Sequence, residues 1–133
     1  MKILTLIIKQ YWFDQIMDGT KTVEYRELKP SNLRRLVEVD DEGFMVEDEE
    51  HGKPNVPIQY DAIRFYVGYN KDRDTALVKV TKIDCNVIKN EDGLMLYDGD
   101  PHGDDFWLYV MLEYHLGEII EKQHNHRAKK MPE

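Results

Sequence analysis

Residues 108–116 constrain the fold more tightly than any other stretch. Leu108, Val110, Leu112, Tyr114 and Leu116 alternate with Tyr109, Met111, Glu113 and His115. A period of two marks a strand with one buried face, and a helix would scatter those positions around its axis. The same logic makes 61–69 a strand with Ile63, Phe65 and Val67 inward and Arg64, Tyr66 and Gly68 on the other face. After the charged connection Asn70–Asp74, residues 75–83 carry apolar groups on both faces: Ala76, Val78 and Val80 on one, Leu77 and Ile83 beside Lys79 and Thr81 on the other. Ile3–Ile8 is a short unbroken apolar run, expected as a buried first strand. Two apolar faces on one strand suit a small barrel, one set filling its interior and one lying under a helix.

Between the first two strands the period changes. Phe13, Ile16 and Met17 have the i, i+3, i+4 spacing of one helical face, which predicts a helix over Gln10–Asp18. Gly19 stands where a helix end needs cheap access to positive φ. Thr22 to Leu28 is then β-branched and aromatic, with Thr22, Glu24, Arg26 and Leu28 on one face and Val23 and Tyr25 on the other. A lysine in the turn, Lys21, is followed by a carboxylate and a guanidinium on one strand face. Such a set suits a small polar ligand: a nucleobase, a sugar or a phosphate. Trp12 either fills the core with Phe13 or lines that site as a platform for base stacking.

These residues carry a resemblance. The pattern W-F-x-x-I-x-x-G-x-K-x-x-E-x-R over Trp12–Arg26 resembles the signature of the ASCH domain, a branch of the PUA-like superfamily. The likeness is dense there and looser at 61–69, 76–83 and 114–120. It implies an α+β fold, a small mixed β-barrel (PUA-like) with two or three flanking helices. It also implies binding of RNA or of a nucleotide or modified nucleoside, and, in some members, hydrolase or nuclease activity. Carried onto this chain, Lys21 and Lys79 meet phosphate or carbonyl oxygens and Glu24 accepts from base or ribose donors. Arg26 contacts the ligand or orients Glu24, unless the two merely pair within the sheet. An aromatic among Trp12, Tyr66 and Tyr69 lies beside them. Members that deacylate modified cytidines use a lysine, a threonine and a glutamate. The lysine is Lys21, but the threonine position holds Glu24, and the glutamate position, in Val78-Lys79-Val80-Thr81, holds Lys79. Lys21, Glu24 and Lys79 are therefore the catalytic candidates, with two of three roles altered.

The chain's 133 residues fit one domain, expected at 1–122 with a frayed tail at 123–133. Its net charge of −8 argues against nonspecific nucleic-acid binding and disfavours a long DNA duplex. The acidity is local, however. Between Glu38 and Glu50 stand eight carboxylates and no lysine or arginine; without them 18 acidic groups face 18 basic ones. Glu38–Pro57 is thus expected as a surface insert outside the core, since unpaired carboxylates are costly to bury. Arg34 and Arg35 lie between the apolar positions of a short helix after Pro30 and are expected to face solvent or a ligand. Asn90–Asp105 reads as turns, and His102 among its aspartates fits no metal-ligand spacing. The lone Cys85 can make no internal disulfide, no zinc spacing exists, and no cofactor motif is legible. No apolar run approaches the roughly 18–20 residues of a membrane span, and residues 3–8 lack the features of a secretory leader. A cytoplasmic protein without a membrane partner is the expectation.

Overall fold

The computed structural model describes residues 1–123. The expected fraying of 123–133 falls outside that range, except that Gln123 itself ends a strand. In chain order the elements are β1 (Ile3–Ile8), α1 (Gln10–Asp18), β2 (Val23–Glu27), α2 (Leu33–Leu36), β3 (Ala62–Val67), β4 (Thr75–Val87), β5 (Tyr97–Asp98), β6 (Trp107–Leu108) and β7 (Val110–Gln123). Five strands form one sheet in the order β1-β3-β4-β7-β2, and β5 pairs with β6 in a separate hairpin. No helix among the described residues is long and apolar enough to cross a membrane.

The small mixed β-barrel expected from the sequence is not what these strands build: the described strands close no barrel. Closure requires every strand to have two ladder partners at a consistent stagger. Here the ladder starts at β1, paired in parallel with β3, and ends at β2, paired antiparallel with β7. The sheet is mixed but open. Two helices accompany it among the described residues, and the second is a single turn. Alternation reports which residues face a core; it carries no information on which strand lies beside which.

The chain divides into two compact units, each assembled from separate segments. Among the described residues, the first takes 1–22, 60–81 and 116–123. Its core is one face of the β1–β3–β4 ladder. The register sets Leu4, Leu6 and Ile8 beside Ile63, Phe65 and Val67, and Ile63 and Phe65 beside Val78 and Ala76. All but Val67 are buried. The buried Phe13 and Ile16 of α1 complete it, one turn apart on the helix, and the helix packs against β3. The opposite face of the same ladder carries Thr5, Arg64, Tyr66 and Lys79.

The second unit takes residues 23–59 and 82–115. Its ladder pairs Val23–Glu27 with Met111–His115, so Glu24 lies opposite Tyr114 and Arg26 opposite Leu112. Leu112, Tyr114, Val110 and Leu28 are buried here, together with Leu36, Val37 and Cys85. In the acidic insert, seven of the eight carboxylates are exposed and Asp48 is half-buried. Isolated bridges Val39–Met45 and Asp48–Lys53 fold it into two small turns. Its far end is anchored, because Asn55 is buried and donates from Nδ2 to Met45 Sδ at 3.3 Å.

Candidate functional site

Lys21 owes its position to a tightly tied helix end. Gly19 caps α1 in the left-handed region at φ 83°, and its N–H reaches the Ile16 carbonyl. An alanine there would meet no neighbour, so glycine is required by the backbone angle alone. The Asp18 carboxylate accepts both the Thr20 hydroxyl (2.6 Å) and the Thr20 N–H (2.9 Å), and these bonds hold it below the usual carboxylate range. The Lys21 N–H then returns to the Gln15 carbonyl at 3.0 Å. With its backbone fixed, Lys21 places Nζ 5.1 Å from the centre of the Trp12 ring.

Trp12 is not a core residue. Phe13 takes that role at 0 % exposure, while Trp12 remains 43 % exposed and meets Tyr11 edge-to-face at 4.7 Å. Adjacent helical positions differ by about 100°, so only one of the two aromatics can face the sheet. An ammonium over an exposed indole is worth about 0.5–1 kcal/mol, too little to lock either side chain against a ligand.

The remaining expected residues are divided between the two units. Tyr66 and Lys79 project from the sheet face opposite the core of the first unit. There the Arg73 guanidinium sits 4.0 Å from the Tyr66 ring centre and donates to the Gly68 carbonyl. Lys79 is exposed near Gly117 of β7. Tyr69, at the β3–β4 connection, is 84 % exposed. Glu24 and Arg26 belong to the second unit, on the face shared with Tyr114 and Leu112. Glu24 is 7 % exposed and lies 3.6 Å from Arg26 Nε, so the two form the intrastrand pair their spacing allowed.

The second unit also contains groups that the sequence reading passed over. A cleft of about 620 Å³ is lined by Glu27, Lys29, Asp98, Asp104, Phe106, Trp107 and Tyr109, among others. Tyr109 donates its hydroxyl to Asp98, and that bond pushes the phenol pKa up. The loop between β5 and β6 depends on Gly99, where a Cβ would run into the Asp105 carbonyl oxygen. Its aspartates act locally: Asp105 accepts the Asp100 N–H and Asp100 accepts the His102 N–H. The sequence signal was Phe106-Trp107-x-Tyr109 directly after Asp104-Asp105, at the join between the turns of Asn90–Asp105 and the strand expected over 108–116.

On β4 and β7, His115 Nε2 meets Asp84 at 2.9 Å and Lys82 approaches its other oxygen at 3.5 Å. Burial pushes Asp84 up, but the His115 hydrogen bond and the Lys82 charge outweigh it and hold the carboxyl low. Cys85 points into the interior, where burial raises its thiol to about 11 despite the nearby Lys53 charge. Among the described residues no group of three His, Cys, Asp or Glu side chains is arranged to hold a metal. No family model matches this chain, and no curated protein or solved structure matches it either.

Proposed function

We infer that this chain is an RNA- or nucleotide-binding module whose ligand is engaged by Trp12 and Lys21. The observation that carries the reading is the ammonium held over an exposed indole by a tied helix end. A base stacked on Trp12 gains about 1–3 kcal/mol, and the adjacent Lys21 supplies charge where a phosphate follows the base. Tyr11, 64 % exposed and nearly perpendicular to the Trp12 ring, adds apolar surface beside the platform. The Trp12–Arg26 resemblance to the ASCH signature supports the same class of ligand. Single strands fit better than duplexes, because stacking needs an unpaired base face and the chain is acidic as a whole.

The test uses indole fluorescence. Trp107→Phe leaves Trp12 as the sole reporter, and titration with a short single-stranded RNA is expected to quench it. Trp12→Ala, read by anisotropy of labelled RNA, should weaken binding by roughly tenfold or more. Lys21→Ala should weaken it similarly and lower the salt slope by about 0.7, the release from one single-strand phosphate. Unchanged titration curves in both variants, with folding intact by circular dichroism, would remove this surface from the account.

A further inference from the structure

The second unit carries a groove unrelated to Trp12 and Lys21. The cleft of about 620 Å³ shares Leu28, Phe106 and Trp107 with a cavity of about 300 Å³. That cavity in turn shares Glu47, Pro54 and Leu108 with one of about 370 Å³. Three cavities joined wall to wall make an elongated depression, suited to a chain rather than to a compact molecule. Its apolar surface is unusually open to solvent: Phe44 is 67 % exposed, Met95 54 % and Phe106 41 %. Large apolar side chains gathered in a depression and rimmed by charge mark an interaction surface.

The rim is predominantly acidic. Glu27, Asp98, Asp104 and Asp105 line one end. Glu47, Asp48 and Glu49 line the other. Only Lys29 and Lys53 oppose these seven carboxylates, which leaves five net negative charges. Several are already engaged: Glu27 lies 3.7 Å from Lys29, Asp48 pairs with His51, and Asp98 accepts from Tyr109. Glu47 and Asp104 form no such pair among the described residues and line different cavities, each beside exposed aromatic surface. Such a field repels a phosphate backbone and attracts cations. The exposed aromatic surface beside these carboxylates suits an organic cation. Trp107 and Phe106 can receive an ammonium or guanidinium on their faces, or an aliphatic side chain between them.

We propose that this groove docks an extended peptide segment of a partner protein, one alternating lysine or arginine with apolar residues. The acidic insert then has a role: Glu47, Asp48 and Glu49 form one wall of the binding surface. Aromatic anchors give such an interface its affinity, and the acidic rim selects the partner's charge and speeds encounter.

Anisotropy of a short fluorescein-labelled lysine–leucine peptide, titrated with the full chain, tests this. Binding is expected, while a glutamate–leucine peptide should not bind, and affinity should fall as salt is raised. Asp104→Asn combined with Glu47→Gln should weaken binding roughly fivefold. Glu91→Gln combined with Glu118→Gln removes the same charge outside the groove and should leave affinity unchanged. Trp107→Ala should weaken it tenfold or more. Equal losses in the two charge variants would reduce the effect to overall attraction and overturn the proposal. So would efficient competition by spermidine, which would make the occupant a small amine. Because RNA binding is assayed through Trp12 and Lys21, failure of either reading leaves the other standing.

Discussion

Cys85 shows how burial decides the chemistry of a single group. An exposed cysteine would be a small, nucleophilic thiol; in the interior, losing water disfavours its thiolate and raises the pKa to about 11. Against the ordinary value of 9.0, a rise of two units lowers the thiolate fraction near neutral pH roughly a hundredfold. Reaction with a chromogenic disulfide reagent at pH 8 should therefore be slower than in denaturant by about that factor, before steric protection is counted. The linkage has a definite sign. The folded state keeps its proton longer, so this group's contribution is complete below about 9 and is lost as pH rises toward 11. Trp12 makes the complementary point. Phe13 beside it is equally aromatic, and one step around the helix turns a core residue into a surface platform.

At the scale of elements, β3 separates the two kinds of side chain by its pleat. Phe65 is fully buried between β1 and β4, whereas Tyr66 faces the other way beneath Arg73 and Tyr69 projects from the connection beyond. Phe65→Ala should cost about 3–5 kcal/mol in urea denaturation, from lost transfer energy and the cavity left behind. Tyr69→Ala should fall within about 0.5 kcal/mol of the parent. A small effect at Phe65 would mean that the β1–β3–β4 face is not the core of its unit. The helix α1 was legible to its end residues, because Phe13 and Ile16 share a face and Gly19 stops the turn. The short β5–β6 hairpin was not, since two-residue strands are too brief to show a period.

For the whole molecule, the departures from the pattern that the ASCH resemblance implies lead to a negative expectation. Deacylating a modified cytidine needs a nucleophile or activated water and a group to carry its proton. Glu24, where the ASCH resemblance would place a hydroxyl, is buried beside Arg26 and offers no hydroxyl for covalent chemistry. Lys79, where the resemblance would place a carboxylate, is an exposed cation. Losing such acid–base help costs about 10²- to 10⁴-fold in rate, so turnover of N4-acetylcytidine, followed by chromatography of released cytidine, should be negligible. Brisk release would show that the roles are assigned wrongly. The sequence by itself determined the period of each long strand, the helix at Gln10–Asp18, the glycine that ends it and the local character of the acidity. These are properties of neighbours along the chain, set by backbone geometry and solvation. Only the tertiary structure decided that the sheet stays open, that Trp12 faces out while Phe13 fills the core, and that Asp98, Trp107 and Tyr109 meet in one cleft. Those outcomes depend on which strands pair and which loops converge, and such long-range choices are settled by packing among residues that no spacing along the chain relates.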